Sequence, residues 1–177
     1  MNFFKIFLIF FFISFFLTGC SKNEKISTII EEDLEQQMIR AFKEGYEEFE
    51  AGDSLYAAQK FNEAELLFPQ SPWAPKAALM AAYVYYAQDY YFDAEYELER
   101  FIKTYPKHPD LNYAHYLLSM CYYEKIVDEK KDLGPLLKAQ EKFNFIIKEY
   151  PSSDYALDSQ YKLDLIQDYL ASKEMYI

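Results

Sequence analysis

The sequence predicts an all-α fold in which pairs of helices stack into an array, and three observations support this prediction. Glycine and proline are scarce, with 4 Gly and 7 Pro in 177 residues, so few positions interrupt a helix. Apolar residues make up 51% of the chain and aromatic residues 20%, which is enough for a packed core. In addition, one spacing of small, bulky and proline residues recurs three times along the chain.

The charge balance limits the kinds of partner that the chain can bind. It carries 18 Lys and Arg against 29 Asp and Glu, which gives a net charge of −11. Such a surface repels the phosphates of a nucleic acid instead of neutralising them. We therefore expect no nucleic acid partner.

The N-terminal segment differs from the rest of the chain. Lys5 is followed by the apolar run Ile6–Leu17, in which Ser14 is the only polar residue. This run is shorter than the about 20 residues that a membrane-spanning helix needs, and small residues follow it, as in a secretory signal peptide. Residues 1–19 are therefore predicted to be a signal peptide.

The segment ends in Leu17-Thr18-Gly19-Cys20, which resembles the lipobox of bacterial lipoproteins. The resemblance implies cleavage before Cys20 and acylation of that residue, and several acyl chains anchor a protein stably to a membrane. We expect a lipidated tether over residues 20–30. Ser21 follows the cysteine, at the position where an aspartate is associated with retention in the inner membrane of enteric bacteria. The resemblance therefore favours the periplasmic face of the outer membrane. The alternative is an ordinary signal peptide in which Cys20 is coincidental.

The recurring spacing defines the repeat. A small residue is followed four positions later by a bulky residue, three further on by another apolar residue and five further on by a proline. The three sets are Ala57, Phe61, Ala64 and Pro69, then Ala94, Leu98, Phe101 and Pro106, then Ala139, Phe143, Ile146 and Pro151. This spacing is typical of the second helix of a tetratricopeptide repeat, which ends at the proline. We predict an α-solenoid of about three and a half such repeats over residues 31–177, at about 36–70, 72–107 and 110–152, with a partial repeat at 154–177.

Two segments depart from a regular array. The charged stretch Val127–Gly134 is predicted to be an insertion, and Gly134-Pro135 suits a helix stop followed by a helix start. A further first helix begins near Asp154, and no second helix follows it in the sequence. Because helix pairs bury their apolar faces only against neighbours, we expect either a C-terminally truncated chain or a subunit that covers this end.

The first helices carry apolar stripes at spacings of four and three residues, which place each stripe on one helix face. First helices line the concave surface of a repeat array, so these stripes predict a groove that binds a peptide. The candidate groove residues are Phe42, Tyr46, Phe49, Leu79, Tyr83, Tyr86, Tyr116, Met120 and Tyr123. The alternative is that they form the core between repeats.

The sequence shows no constellation typical of catalysis or metal binding. His108 is expected to be a solvated turn residue, and His115 has no Cys or His at the spacing of a metal pair. Cys121 is expected to be a small core residue without a disulfide partner, since Cys20 is lipidated. We expect a binding protein and not an enzyme, with no cofactor and no metal.

Short motifs between the lipobox and the C-terminus resemble those of one family. They include Ala41-Phe42-Lys43-Glu44-Gly45, Ser71-Pro72-Trp73-Ala74, Glu99-Arg100-Phe101-Ile102 and Tyr105-Pro106-Lys107-His108-Pro109-Asp110. Over nearly its whole length the chain resembles the BamD (ComL-like) lipoproteins of the β-barrel assembly machinery. The resemblance implies an outer-membrane scaffold that binds nascent outer-membrane proteins, the β-barrel insertase subunit and accessory lipoproteins. Members of the family usually have five repeats, and the last ones, which hold the insertase subunit, are missing from this sequence.

Two other classes of protein share part of this pattern. Another periplasmic repeat lipoprotein, such as a secretin pilotin or a cell-envelope coordinator, would have the same lipobox and repeats but another partner. A peptidoglycan-remodelling enzyme with a repeat accessory domain would need a catalytic domain after Ile177. Full-length sequencing and the identity of the proteins that co-purify with the chain distinguish these classes.

Overall fold

The computed structural model describes residues 33–128 and 133–174, and these residues form seven α-helices with no strand among them. The helices are α1 (Leu34–Ala51), α2 (Ser54–Leu67), α3 (Ala74–Ala87), α4 (Tyr91–Thr104), α5 (Leu111–Asp128), α6 (Gly134–Glu149) and α7 (Asp154–Glu174). The predicted signal peptide, the lipidation site Cys20, the tether at 20–30 and the middle of the charged insertion lie outside the described residues.

The helices stack in the order of the chain. Each helix packs on the next one, so that α1 with α2, α3 with α4 and α5 with α6 form three pairs. First helices of successive repeats also contact each other: α3 contacts α5, and α5 contacts α7. The prediction of an all-α array of helix-turn-helix repeats is therefore confirmed.

The repeated spacing marks the core of the array. All nine apolar residues of the three sets, from Ala57 to Ile146, are 0% exposed. The helices α2, α4 and α6 end at Leu67, Thr104 and Glu149, two residues before the proline in each case. Proline has no N–H to donate and disfavours a helical conformation of the residue before it, which explains these ends.

The same turn follows the three prolines. The backbone N–H groups of Ser71, His108 and Ser153 donate to the carbonyls of Phe68, Tyr105 and Tyr150, three residues earlier, at 2.9, 3.0 and 3.0 Å. A second hydrogen bond follows in each turn, in which the N–H five residues after the proline, that of Ala74, Leu111 or Ala156, donates to the carbonyl of Ser71, His108 or Ser153 at 3.1, 3.2 and 3.0 Å. The next helix begins soon after the turn, at Ala74, Leu111 or Asp154.

Gly45 allows α1 and α2 to approach each other closely. A Cβ atom at this position would lie 3.1 Å from the carbonyl oxygen of Ala57 and 3.2 Å from the ring of Phe61. At Gly52 the reason for glycine is the backbone, since its φ of 89° is a left-handed conformation that ends α1. The Asp53 carboxylate then accepts a hydrogen bond from the Tyr56 N–H at 3.1 Å and caps α2.

The predicted helix start after the charged insertion is confirmed. Helix α6 begins at Gly134, and Pro135 occupies its first turn. Proline suits this position because the first N–H groups of a helix have no partner within it and the fixed φ of the ring matches a helix.

A polar network joins the second helices α2 and α4. The Arg100 guanidinium donates to both carboxylate oxygens of Glu65, at 2.9 and 2.6 Å, and to Glu97 at 2.9 Å. Tyr105 donates its hydroxyl to Glu65 at 2.6 Å. The Glu65 hydrogen bonds raise the pKa of Arg100, and burial together with the Glu65 contact raises the pKa of Tyr105. Arg100 and Tyr105, which belong to the family-like motifs, therefore hold one repeat against the next.

Two single residues illustrate how packing decides an environment. Cys121 is 0% exposed, which confirms the expected core position, and burial raises the pKa of its thiol to about 12. The expectation of a solvated His108 is wrong. Its side chain lies in the turn but keeps only 14% exposure, because the ring packs edge-on against Phe101 at 5.5 Å.

His115 on α5 packs against two aromatic rings of the same repeat. Its ring centroid lies 4.7 Å from that of Phe145 and 6.0 Å from that of Tyr150. Burial lowers the pKa of His115, and the nearby Lys142 ammonium acts in the same direction. The neutral imidazole is therefore the form that the fold stabilises.

We expect the His115→Gln variant to lose less stability in acid than the wild type. A depressed pKa in the folded state means that the unfolded chain binds the proton more readily. The contribution is present above the ordinary histidine pKa and is lost as the pH falls through the lower pKa of the folded state. Thermal unfolding midpoints measured between about pH 7 and pH 5 test this, and identical pH dependences would contradict it.

Candidate peptide-binding surface

The nine predicted groove residues do not share one environment. Tyr46 is exposed, at 50%, and Met120 is buried in the core, at 7%. The other seven side chains are half-buried, with one part of each packed against the interior. Met120 does not reach the surface and is not part of the candidate site.

The N-terminal half of the first-helix surface contains two adjoining cavities. The α1 cavity, about 370 Å³ in volume, is lined by Met38, Ile39, Phe42, Lys43, Tyr46 and Trp73. The α3 cavity, about 390 Å³, is lined by Phe42, Lys76, Leu79, Met80, Tyr83, Asp110 and Tyr113. Phe42 belongs to both linings, so its ring forms the wall between the two cavities.

Ring contacts hold this wall in place. The Phe42 ring meets Phe61 of α2 at 5.2 Å and Trp73 at 5.6 Å, in both cases edge to face. On the same side of the molecule, Phe49 meets Tyr83 at 5.9 Å and joins α1 to α3. Edge-to-face pairs of this kind stabilise a packing beyond the area that they bury, so the paired cavities are formed before a ligand arrives.

The cations of this region lie at the edges of the cavities. The Lys76 ammonium sits over the Trp73 ring, 4.6 Å from its centroid. Lys43 pairs with Glu47 at 3.4 Å, and both of these side chains are largely exposed. The interior of the α1 cavity is consequently apolar and aromatic, with charge only at its mouth.

The C-terminal half of the aromatic stripe is engaged in contacts between helices. Tyr116 stacks on Tyr155 at 5.0 Å and donates its hydroxyl to Asp158 at 2.5 Å, which joins α5 to α7. Burial and this hydrogen bond raise the pKa of Tyr116. The Tyr123 ring packs against Phe143 at 6.1 Å and carries the Lys162 ammonium on its face at 4.9 Å. These rings therefore serve mainly to hold consecutive repeats together.

Sequence reasoning missed several residues of the surface. Trp73 lines the α1 cavity from the turn before α3, outside the helical spacing that was used to find the stripes. Tyr161 was missed although a signal existed: the interval of 45 residues that relates Pro106 to Pro151 also relates Tyr116 to Tyr161. Tyr161 is 60% exposed on α7.

Two other kinds of feature are absent from the described residues. Within 33–128 and 133–174, no group of three His, Cys, Asp or Glu side chains is arranged to hold a metal ion. In the same part of the chain, no helix has the length and the apolar composition needed to cross a bilayer.

Comparison with known proteins gives one consistent result. A family described as "YfiO: Outer membrane lipoprotein" matches residues 34–177. Proteins named "Outer membrane protein assembly factor BamD" are similar over 91% of this chain, with 32% identity in Caulobacter vibrioides and 32% in Rickettsia prowazekii. A protein of the same name from Neisseria meningitidis is 23% identical over 91% of the chain.

The alignment also shows how much of these relatives the chain represents. It covers 52% of the Caulobacter protein, 62% of the Rickettsia protein and 64% of the Neisseria protein. The chain thus spans about half to two thirds of the length of these relatives. The match to the family covers all seven described helices, and we conclude that the chain belongs to the YfiO family of outer membrane lipoproteins.

Proposed function

We propose that this chain is a lipid-anchored scaffold of the β-barrel protein assembly machinery on the periplasmic face of the outer membrane. Cys20 carries the lipid anchor, and residues 20–30 tether the helical array to the membrane. The array binds nascent outer-membrane proteins and contacts the β-barrel insertase subunit and accessory lipoproteins. The names of the relatives, which are assembly factors of the outer membrane, support this role.

The paired cavities are the observation that carries the proposal. An extended strand points every second side chain to the same face, so two neighbouring apolar cavities suit bulky side chains at alternate positions. Nascent outer-membrane barrels end in an aromatic-rich strand. The α1 and α3 cavities, divided by the Phe42 ring, offer aromatic walls to such side chains.

The role requires binding and no bond making. The cavity walls are formed mostly by apolar and aromatic side chains, and the charged residues among them, Lys43, Lys76 and Asp110, are exposed. Transfer of aromatic side chains from water into such cavities supplies the free energy of binding. The lipid anchor contributes by keeping the bound strand next to the membrane.

We expect the double variant Ile39→Ser/Tyr46→Ser to bind a peptide from the C-terminal strand of an outer-membrane barrel at least about tenfold more weakly. Both side chains line the α1 cavity and are half-exposed, at 53% and 50%, so the fold tolerates their replacement. The affinity is measured by titrating the peptide and following the fluorescence of Trp73. This residue lies in the wall of the α1 cavity and is the only tryptophan of the chain.

A matched control replaces exposed leucines elsewhere. Leu55 and Leu66 on α2 are 57% and 74% exposed and belong to neither cavity, so the Leu55→Ser/Leu66→Ser variant should bind the peptide like the wild type. Equal affinities of the wild type and the Ile39→Ser/Tyr46→Ser variant would refute the cavities as the binding site. Capture from detergent-solubilised outer membrane tests the partners: co-purification of the insertase supports the proposal, and co-purification of a secretin contradicts it.

A further inference from the structure

Three tyrosines continue the candidate peptide-binding surface beyond the α3 cavity. Tyr83 of α3 and Tyr113 of α5 belong to the lining of this cavity. Tyr86 lies three residues after Tyr83, on the same side of α3. We call these three residues the tyrosine surface. It is formed by two first helices that contact each other in the middle of the array.

The hydroxyls of the tyrosine surface are not used by the fold. None of the three has a hydrogen-bond partner in the part of the chain that the structure describes. They are not buried either, since the buried side-chain oxygens that lack a partner among these residues are those of Ser54 and Ser159. By contrast, Tyr116 donates its hydroxyl to Asp158 at 2.5 Å. The hydroxyls of the tyrosine surface are therefore available to a ligand.

The rings below these hydroxyls are held in place. Each packs against a ring of another helix, Tyr83 against Phe49, Tyr86 against Tyr91 and Tyr113 against Tyr155, at centroid distances of 5.9, 5.9 and 5.5 Å. Burial raises the pKa of Tyr86 and that of Tyr113 to about 12, so both hydroxyls stay protonated at neutral pH and can donate as well as accept. Groups that are already positioned lose little freedom when a ligand binds.

An extended strand in the paired cavities would need further partners. A strand that crosses a membrane has about 9 to 11 residues, whereas side chains two positions apart are separated by only about 7 Å. A strand that fills the two cavities with alternate side chains therefore leaves most of its residues outside them. The backbone N–H and C=O groups of these residues lose contact with water along the protein surface and must be paired again.

We propose that the tyrosine surface binds the main chain of the extended strand whose side chains fill the paired cavities. The tyrosine hydroxyls donate to backbone carbonyls and accept from backbone N–H groups, so they recognise an extended chain whatever its side chains are. The cavities select aromatic side chains, and the tyrosine surface adds affinity for the strand that carries them. This inference rests on the proposed function, because the cavities must hold the strand first.

The test compares peptides that carry the same two aromatic side chains at alternate positions. One peptide has five residues and is long enough only for the cavities. Two others have ten residues and extend the first with serine and threonine, either at its N-terminus or at its C-terminus; all ends are capped. We expect the full chain in lipid nanodiscs to bind one of the longer peptides at least about tenfold more tightly than the short one, because one direction leads over the tyrosine surface. Trp73 fluorescence measures the three affinities.

Variants that remove hydroxyls but keep the rings assign this gain. Tyr86 lines neither cavity, so Tyr86→Phe should weaken the favoured longer peptide at least about threefold and leave the five-residue peptide unchanged. Tyr83→Phe/Tyr86→Phe/Tyr113→Phe should reduce the gain from added length to less than about twofold. The matched control is Tyr96→Phe on α4, a tyrosine that is 67% exposed and should change none of the affinities.

The outcomes separate this inference from the function on which it rests. If the wild type binds short and long peptides equally, or if Tyr86→Phe weakens all peptides by the same factor, the tyrosine surface does not bind the main chain, and the cavities remain the binding site. If the five-residue peptide does not bind at all, the cavities are refuted and this inference with them.

Discussion

The Arg100→Ala variant is expected to lose about 3 to 5 kcal/mol of unfolding free energy, because the substitution leaves two carboxylates buried without their cation. The side chains of Glu65 and Glu97 keep only 6% and 10% exposure, and both accept hydrogen bonds from the guanidinium. Asn62 also loses its contact with Arg100, at 3.1 Å. Urea unfolding followed by far-UV circular dichroism gives the loss directly.

An exposed ion pair of the same chain is the matched control. Lys43 and Glu47 lie one turn apart on α1 with side chains 75% and 63% exposed, and such a pair contributes about 0.3 to 0.5 kcal/mol. Lys43→Ala should therefore barely change the unfolding curve. If Arg100→Ala costs no more than Lys43→Ala, the network between α2 and α4 does not hold these repeats together.

The Phe101→Ala variant is expected to lose about 3 to 5 kcal/mol, through lost burial and the cavity that remains. Phe101 is 0% exposed, and its ring packs against Tyr105 at 5.4 Å and His108 at 5.5 Å. It therefore supports both the core of the second repeat and the turn that leads into α5. Differential scanning calorimetry shows the loss as a lower unfolding midpoint.

Phe101→Leu separates volume from aromatic character. Leucine refills much of the space, so this variant should lose less than about 1.5 kcal/mol. In a repeat array each unit contacts only its neighbours, so a weakened second repeat should also broaden the unfolding transition. Equal losses for Phe101→Ala and Phe101→Leu would show that cavity formation is not the cause.

Particular residues show which features were predictable. The sets around Ala57, Ala94 and Ala139 were identified from spacing alone, and every apolar member is buried. The start of α6 at Gly134 was equally predictable. In both cases the cause is local: a helix repeats its faces at a fixed interval, and proline stops or starts it through its own ring.

The aromatic stripes show where local reasoning ends. Spacing places Phe42 and Met120 alike on the first-helix side, yet Phe42 forms the wall of two cavities and Met120 is buried. The difference comes from the neighbouring helices, which leave space beside Phe42 and close over Met120. Trp73 also lines the α1 cavity, and spacing could not predict this because a residue in a turn follows no helical interval.

The sequence by itself determined the helical repeats, their boundaries at proline and glycine, and the family to which the chain belongs. The repeats and their boundaries arise from neighbours a few residues apart, whose backbone preferences and helix faces can be read directly from the sequence. Only the tertiary structure decided that Arg100 binds a carboxylate 35 residues away, that His108 is covered, and that two cavities open beside Phe42. Burial and pairing depend on side chains that are distant in the chain and become adjacent only when the helices stack.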